Sequence, residues 1–255
     1  MDLSQLLVPL IVIVVLLVLL VSLPGVLLGL VIIGDRQGGI VTKRFSFAGK
    51  SLPAGQLIAL NGEPGIQADV LSPGWHLWKF SWMYTVQKVP VLLIPQGEIG
   101  LLVASDGAPI PPERILGKIV QCDDFQNARS FLTKGGEKGR QLGIITAGTY
   151  RLNTALFSVI TANSAHMNEM EPEQLKVYSI ESDKVGIITT LDGKPIPEGE
   201  IAGLYLPGHD NFQNAQAFLD AGGQRGLQEQ VLLSGSWNLN PWFVRVEQTP
   251  MTEIP

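Results

Sequence analysis

The stretch VGIITTLDGKPIP at 185–197, continued as HDNFQNAQAFLDAGGQRGLQEQVLLSGSWNLNPWFVRV at 209–246, sets the reading of this chain because it recurs. An earlier copy reads IGLLVASDGAPIP at 99–111 and CDDFQNARSFLTKGGEKGRQLGIITAGTYRLNTALFSV at 122–159. A worn copy precedes it, NGEPGIQADVLSPGWHLWKFSWMYTV at 61–86. Gly65 and Gln67 precede Gly74 at the spacing with which Gly139 and Gln141 precede Gly148, and Gly226 and Gln228 precede Gly235. A unit recurring at fixed spacing is a supersecondary module that buries its apolar face against its neighbours. The pattern predicts an extended array of small modules rather than one pocket-bearing enzyme.

Within a module the apolar runs are of strand length and are broken by turn residues. Asp106-Gly107 and Asp192-Gly193 carry the hairpin signal. The prolines of APIPP and KPIP predict an extended edge. FQNARSFLTKGG and FQNAQAFLDAGG predict a short helix with Asp124 or Asn211 as N-cap, ended by Gly135 or Gly222. The expected class is therefore α+β: an N-terminal transmembrane helix followed by small strand-rich modules, each with one short helix.

Residues 6–33 read LLVPLIVIVVLLVLLVSLPGVLLGLVII without a charge. About 20 apolar residues suffice to span a bilayer, and nothing polar opposes insertion. A cleaved signal peptide fits poorly, for Asp2 is the only charge ahead of the run and no Ala-x-Ala follows. Pro24 and Gly25 leave two shapes, a kinked single span or a hairpin, and the single span avoids unsatisfied turn carbonyls in lipid. Arg36, Lys43 and Arg44 follow the run, which places the modules in the cytoplasm. The divisions expected are an anchor at 1–34, a degenerate first module at 35–92, a second at 93–160, a polar linker at 161–176 and a third module at 177–250. VEQTPMTEIP at 246–255 repeats the layout of VQKVPVLLIP at 86–95, so 251–255 reads as the start of a further unit in a longer polypeptide.

Charged residues are 16% of the chain and the net charge is −5, with no basic block to suit a nucleic acid. The lone Cys122 cannot form an internal disulfide, and with no activating neighbour in the sequence it reads as a packing residue. His76, His166 and His209 stand apart, without metal-ligand spacing. Asp123-Asp124 and His209-Asp210 occupy matching places before the short helix. Acid–base chemistry and capping both use such residues, and capping explains both copies without a substrate. GGEKGRQ and GGQRGLQ follow a helix and lack the Gly-Lys-Ser/Thr ending, so they are helix exits rather than phosphate loops. No catalytic, cofactor-binding or metal-binding residue is assigned, no cofactor is implied, and the chain does not read as an enzyme. Trp75, Trp78, Trp82 and Tyr84 suit either a membrane–water interface or an aromatic module core.

An apolar N-terminus followed by modules carrying the Asp-Gly turn, FQNA-x-x-FL-x-x-GG and Gly-x-Tyr-x-Leu-Asn, with LSPGWHLW at 71–78, resembles the stomatin/prohibitin/flotillin (SPFH) superfamily, closest to its bacterial flotillin-like branch. The resemblance implies no enzymatic activity. It implies a membrane scaffold assembled into large homo-oligomeric rings or cages, organising microdomains or restraining membrane proteases, with lipids, other copies and membrane-protein clients as partners. One departure is plain: the long C-terminal helical region of that family is absent from these 255 residues. The alternatives are a monomeric membrane-tethered binding protein whose modules capture a ligand, and an enzyme that brings Asp123, Asp124 and His209 together.

Overall fold

The computed structural model describes residues 10–18, 28–47 and 49–251. They fall into two compact units, one holding Met1–Val91 with Arg151–Thr154, the other Leu92–Tyr150 with Ala155–Pro255. In the first unit a helix, α1, covers residues 10–18. Strands β1 (Val31–Ile33), β2 (Gln37–Lys43), β3 (Ile58–Ala59), β4 (Gly65–Leu71), β5 (Gly74–His76) and β6 (Tyr84–Pro90) follow. They form a sheet in the order β3-β4-β2-β6 and a separate pair, β1 with β5.

The second unit repeats this plan twice. Its first set is β7 (Leu92–Ile94), β8 (Gly100–Ala104), helix α2 (Ala128–Thr133), β9 (Gly139–Ile145), β10 (Gly148–Tyr150) and β11 (Phe157–Ile160). Here β8 lies between β9 and β11, and β7 pairs with β10. Its second set is β12 (Tyr178–Ile180), β13 (Lys184–Thr190), β14 (Lys194–Pro195), helix α3 (Ala215–Asp220), β15 (Gln224–Leu227), β16 (Gly235–Trp237) and β17 (Val244–Pro250). The order is β14-β15-β13-β17, with β12 on β16. We call the three sets the first, second and third modules.

Two local rules generate the plan. The second strand of each module carries a glycine on which the isoleucine ending the lead strand rests. A Cβ on Gly39 would lie 2.8 Å from Ile33 Cδ1, one on Gly100 3.1 Å from Ile94 Cδ1, and one on Gly186 2.7 Å from Ile180 Cδ1. All three isoleucines are buried. The second rule is Gly-x-Gln. Gly65, Gly139 and Gly226 have φ of 119°, 114° and 129°, a backbone that side chains rarely adopt. The glutamine two residues on then folds its carboxamide back over the turn. Gln67 Nε2 donates to the carbonyls of Glu63 and Gly65 (2.9 and 2.9 Å), Gln141 to those of Glu137 and Gly139 (2.7 and 2.8 Å), and Gln228 to those of Gln224 and Gly226 (2.8 and 2.9 Å).

The expected membrane anchor is corrected by these elements. Residues 10–18 are helical. No helix among the described residues is long and apolar enough to cross a membrane. The last apolar residues of the run belong to a sheet, since Val31, Ile32 and Ile33 pair with His76, Trp75 and Gly74. Ile33 does in the first module what Ile94 and Ile180 do in the others, so an apolar run taken as one span ends in a module's lead strand. A single-pass placement in a bacterial membrane with cytoplasmic modules is not supported. The remainder of the expected anchor, at 1–9 and 19–27, and the further unit expected to start at 251–255, lie outside the described residues apart from Met251.

The α+β class is corrected as well. The described residues are mostly β-strand, with 13% of them helical. α2 and α3 are six residues each, because Phe-Ala-Phe-Leu spacing is sustained for under two turns before Gly135 or Gly222. Among the described residues no helix occurs between β1 and β6. The N-caps are Asn127 and Asn214, whose side chains accept from Ser130 N and Ala217 N (2.9 and 3.1 Å), not Asp124 and Asn211. Asp106-Gly107 and Asp192-Gly193 do not turn hairpins. Each carboxylate accepts from its own following glycine at 2.8 Å, and the chain then crosses over to run parallel beside the strand it will later form. The stretch at 161–176 is packed into three short 3-10 helices, with Ala165 and Leu175 buried against Ile99 and Leu101.

Replacing Gly186 by valine places a Cβ 2.7 Å from both Ile180 Cδ1 and Val246 Cγ1. Overpacking of this kind costs about 1–3 kcal/mol, and urea unfolding followed by tryptophan fluorescence should show that loss.

Candidate functional site

The residues that recur around Leu-Asn build the most organised polar site of the second unit, where the third module meets the second. Asn240 closes the corner ahead of β17: its carbonyl accepts from Phe243 N and Val244 N, both at 2.9 Å. That corner aims the carboxamide at β9. Asn240 Nδ2 donates to the carbonyls of Gln141 and Leu142 (3.1 and 2.8 Å), while its Oδ1 accepts from Trp242 N at 2.9 Å. Asn240 is buried, so each of these bonds satisfies a group that water does not reach. Asp192 completes the clamp from the other side, Oδ2 accepting from Ile115 N and Leu116 N (3.2 and 3.4 Å). Gln216 Oε1 takes Ile119 N at 3.0 Å, and the Arg140 guanidinium lies 4.9 Å from the Trp242 ring centroid. Under this polar frame Leu116 and Leu142 pack with Phe212, Ala215, Phe218 and Leu239.

The first unit holds the same clamp. Asn153, in the segment Arg151–Thr154, is fully buried and donates to the carbonyls of Gln67 and Ala68, both at 3.0 Å. Gln67 and Ala68 stand in β4 where Gln141 and Leu142 stand in β9. The worn first module breaks the rule. Its corner residue is Phe80, whose carbonyl accepts from Met83 N and Tyr84 N as that of Asn240 does from Phe243 and Val244. Phe80 stacks on Trp82 at 6.0 Å and joins Phe45, Phe47 and Trp78 in one cluster. Trp75, Trp78, Trp82 and Phe47 are exposed, so these rings do not form a module core.

The candidate acid–base residues are not assembled. His209 is buried, tilted against Phe212 at 4.5 Å and edge-on to Phe218 at 5.3 Å between ring centroids, and its Nδ1 accepts from Phe212 N at 2.8 Å. Asp123 and Asp124 line a cleft of about 420 Å³ with Gln213, on a rim that does not include His209. Their backbone is left-handed. Asp123, Asp124 and Phe125 take φ of 55°, 46° and 64°, and Asp210, Asn211 and Phe212 take 47°, 51° and 66°. A left-handed turn costs roughly 1–2 kcal/mol per residue unless it is held in place. Here a buried phenylalanine anchors one end and a side-chain acceptor the other: His209 in the third module, Cys122 in the second. Burial pushes the Cys122 thiol above its ordinary value, against a hydrogen bond from the Phe125 backbone that pulls it down. His76 occupies yet another repeated place, its Nε2 lying 2.7 Å from the Ser72 carbonyl. Among the described residues no three His, Cys, Asp or Glu side chains converge on a metal-sized site.

Beside the clamp runs a groove of about 750 Å³, lined by Arg140, Trp242, Arg245, Tyr178, Lys176 and Glu169 among others. Leu-Asn stands in both full copies of the repeat, but its amide has no visible target until β9 and β4 are placed. Its signal in the sequence is the loss of Leu-Asn from the worn copy.

No family model matches the chain, and no curated protein or solved structure was found to be similar to it. The resemblance to the stomatin/prohibitin/flotillin superfamily therefore rests on the sequence motifs alone.

Asn240→Ala leaves two buried carbonyls without a donor and should cost about 1–3 kcal/mol, read as a lower urea midpoint. A thiol whose value is raised on folding stabilises the native state below about pH 8.5, and that contribution is lost as pH climbs through the raised value. Cys122 alkylation should accordingly be far slower in the native chain than in urea at the same pH, and native stability should decline on the alkaline side.

Proposed function

We propose that this chain is a non-catalytic scaffold whose modules are docking units, and that it assembles with further copies of itself into large particles that gather client proteins. The observation carrying this reading is the repeated clamp, an asparagine carboxamide on two strand carbonyls, built once in each compact unit. In the second unit it commits the buried Asn240 and Asp192 to holding the third module to the second. The exposed cluster of Phe45, Phe47, Trp78 and Trp82 supports it, since contiguous exposed rings mark association surfaces.

The groove beside Trp242 favours a second reading, capture of a small ligand by a monomer, because volumes of roughly 300–1,000 Å³ suit such ligands. Particle mass separates the two. Light scattering on the purified chain across a hundredfold concentration range should give a particle far above 27.6 kDa, shifted towards monomer by Trp82→Asp. A monomer at every concentration would sink the scaffold reading and leave the groove as the place to look.

A further inference from the structure

The face that the second module offers to the third is built again on the third module itself. In the second module Gly117 N donates to Arg140 O and Leu142 N to Gly117 O, which fixes the loop beside the strand; Gly203 N to Leu227 O and Glu229 N to Gly203 O repeat this in the third. The groups that the clamp engages are therefore duplicated. The carbonyls of Gln141 and Leu142 correspond to those of Gln228 and Glu229, and the amides of Ile115 and Leu116 to those of Ile201 and Ala202. Asn240 and Asp192 occupy the first set. Among the described residues nothing occupies the second. Around the second set Ile201 is 85% exposed and Tyr205 62%, against 52% and 38% for their counterparts Ile115 and Ile119 in the occupied interface.

We infer that this outer face of the third module, from Glu200 to Leu206 and along β15, is a docking site for a partner module of the third module's own build. Its occupant presents a carboxylate to the amides of Ile201 and Ala202 and a carboxamide to the carbonyls of Gln228 and Glu229, as Asp192 and Asn240 do one step earlier. Two differences refine the partner. Leu227 replaces Arg140, so the aromatic residue that would stand over it, in the place of Trp242, meets an aliphatic side chain instead of a guanidinium. Glu229 replaces the buried Leu142, and its Oε2 holds Tyr205 N at 3.2 Å, the bond that Gln216 of the docked module makes to Ile119 N in the occupied interface. A partner with a cation at the place of Gln216 therefore suits this face better than one with an amide. The first module of a second copy does not meet these demands, because Phe80 and Trp82 stand where the asparagine and Trp242 would.

The inference rests on reading the modules as docking units, and its test is independent of particle mass. The full chain is extended by a second copy of residues 161–251 carrying Gln216→Lys, which raises the local concentration of the partner face to about millimolar. Hydrogen exchange is then read at the amides of Ile201 and Ala202. The expected result is slowing of at least about tenfold relative to the unextended chain, one 1.4 kcal/mol step in opening. That protection should be lost when the added copy carries Asn240→Ala, or when the original module carries Leu227→Asp. Unchanged exchange at the two amides overturns the inference, as does protection that Asn240→Ala leaves in place. An added copy that stays unfolded overturns it too, because a repeat module seated on a competent face gains its missing neighbour. A monomeric native chain with protected amides would leave this face standing while removing the self-assembling scaffold.

Discussion

An isoleucine lying over a glycine is the contact on which the rest depends. Ile33 on Gly39, Ile94 on Gly100 and Ile180 on Gly186 bring the lead strand across the second strand at a distance that a Cβ would crowd. With the lead strand there, its partner after the Gly-x-Gln turn must come back to pair with it, and the second strand is left between two neighbours. The aromatic pairs fill what remains: Phe125, Phe131 and Phe157 in one module, Phe212, Phe218 and Phe243 in the next. Each module thus has a small core that closes poorly alone. Leu116 and Leu142 are buried largely by the following module.

The clamp follows from that incompleteness. A backbone strand turned towards a neighbour exposes carbonyls that must be satisfied once water is excluded. A carboxamide held by its own corner meets that need, because it donates to two carbonyls and accepts one amide without carrying a charge into the interface. Asp192 does carry one, and receives two backbone N–H groups in compensation. Where the corner residue is Phe80, rings gather at the surface instead.

Much of this was legible in the sequence as spacing and little of it as chemistry. The recurrence of Gly-x-Gln was visible, because backbone conformation fixes the residue type at the glycine and the glutamine serves its own strand. The start of the first module was hidden: Ile33 sits at the end of an apolar run whose composition matches a membrane span, and composition does not record that Val31–Ile33 pairs with Gly74–His76. Asp-Gly misled for a related reason, since a pair that suits a hairpin also suits a crossover when the partner strand lies a long connection away. Asn240 and Asp192 act on Gln141, Leu142, Ile115 and Leu116, a distance in sequence that no local pattern reports.

The residue two places after the last repeated glycine is His76 in one module, Tyr150 in the next and Trp237 in the third. Three unlike rings make one bond, each reaching a carbonyl four residues earlier, at 2.7, 2.8 and 3.3 Å. What the fold selects there is reach and the ability to bridge to an oxygen, not acidity, size or charge. An imidazole in such a seat is a strut that happens to be ionisable. Sequence comparison by residue identity would score these positions as unrelated, so duplicated units can drift beyond recognition while every strand stays where it was.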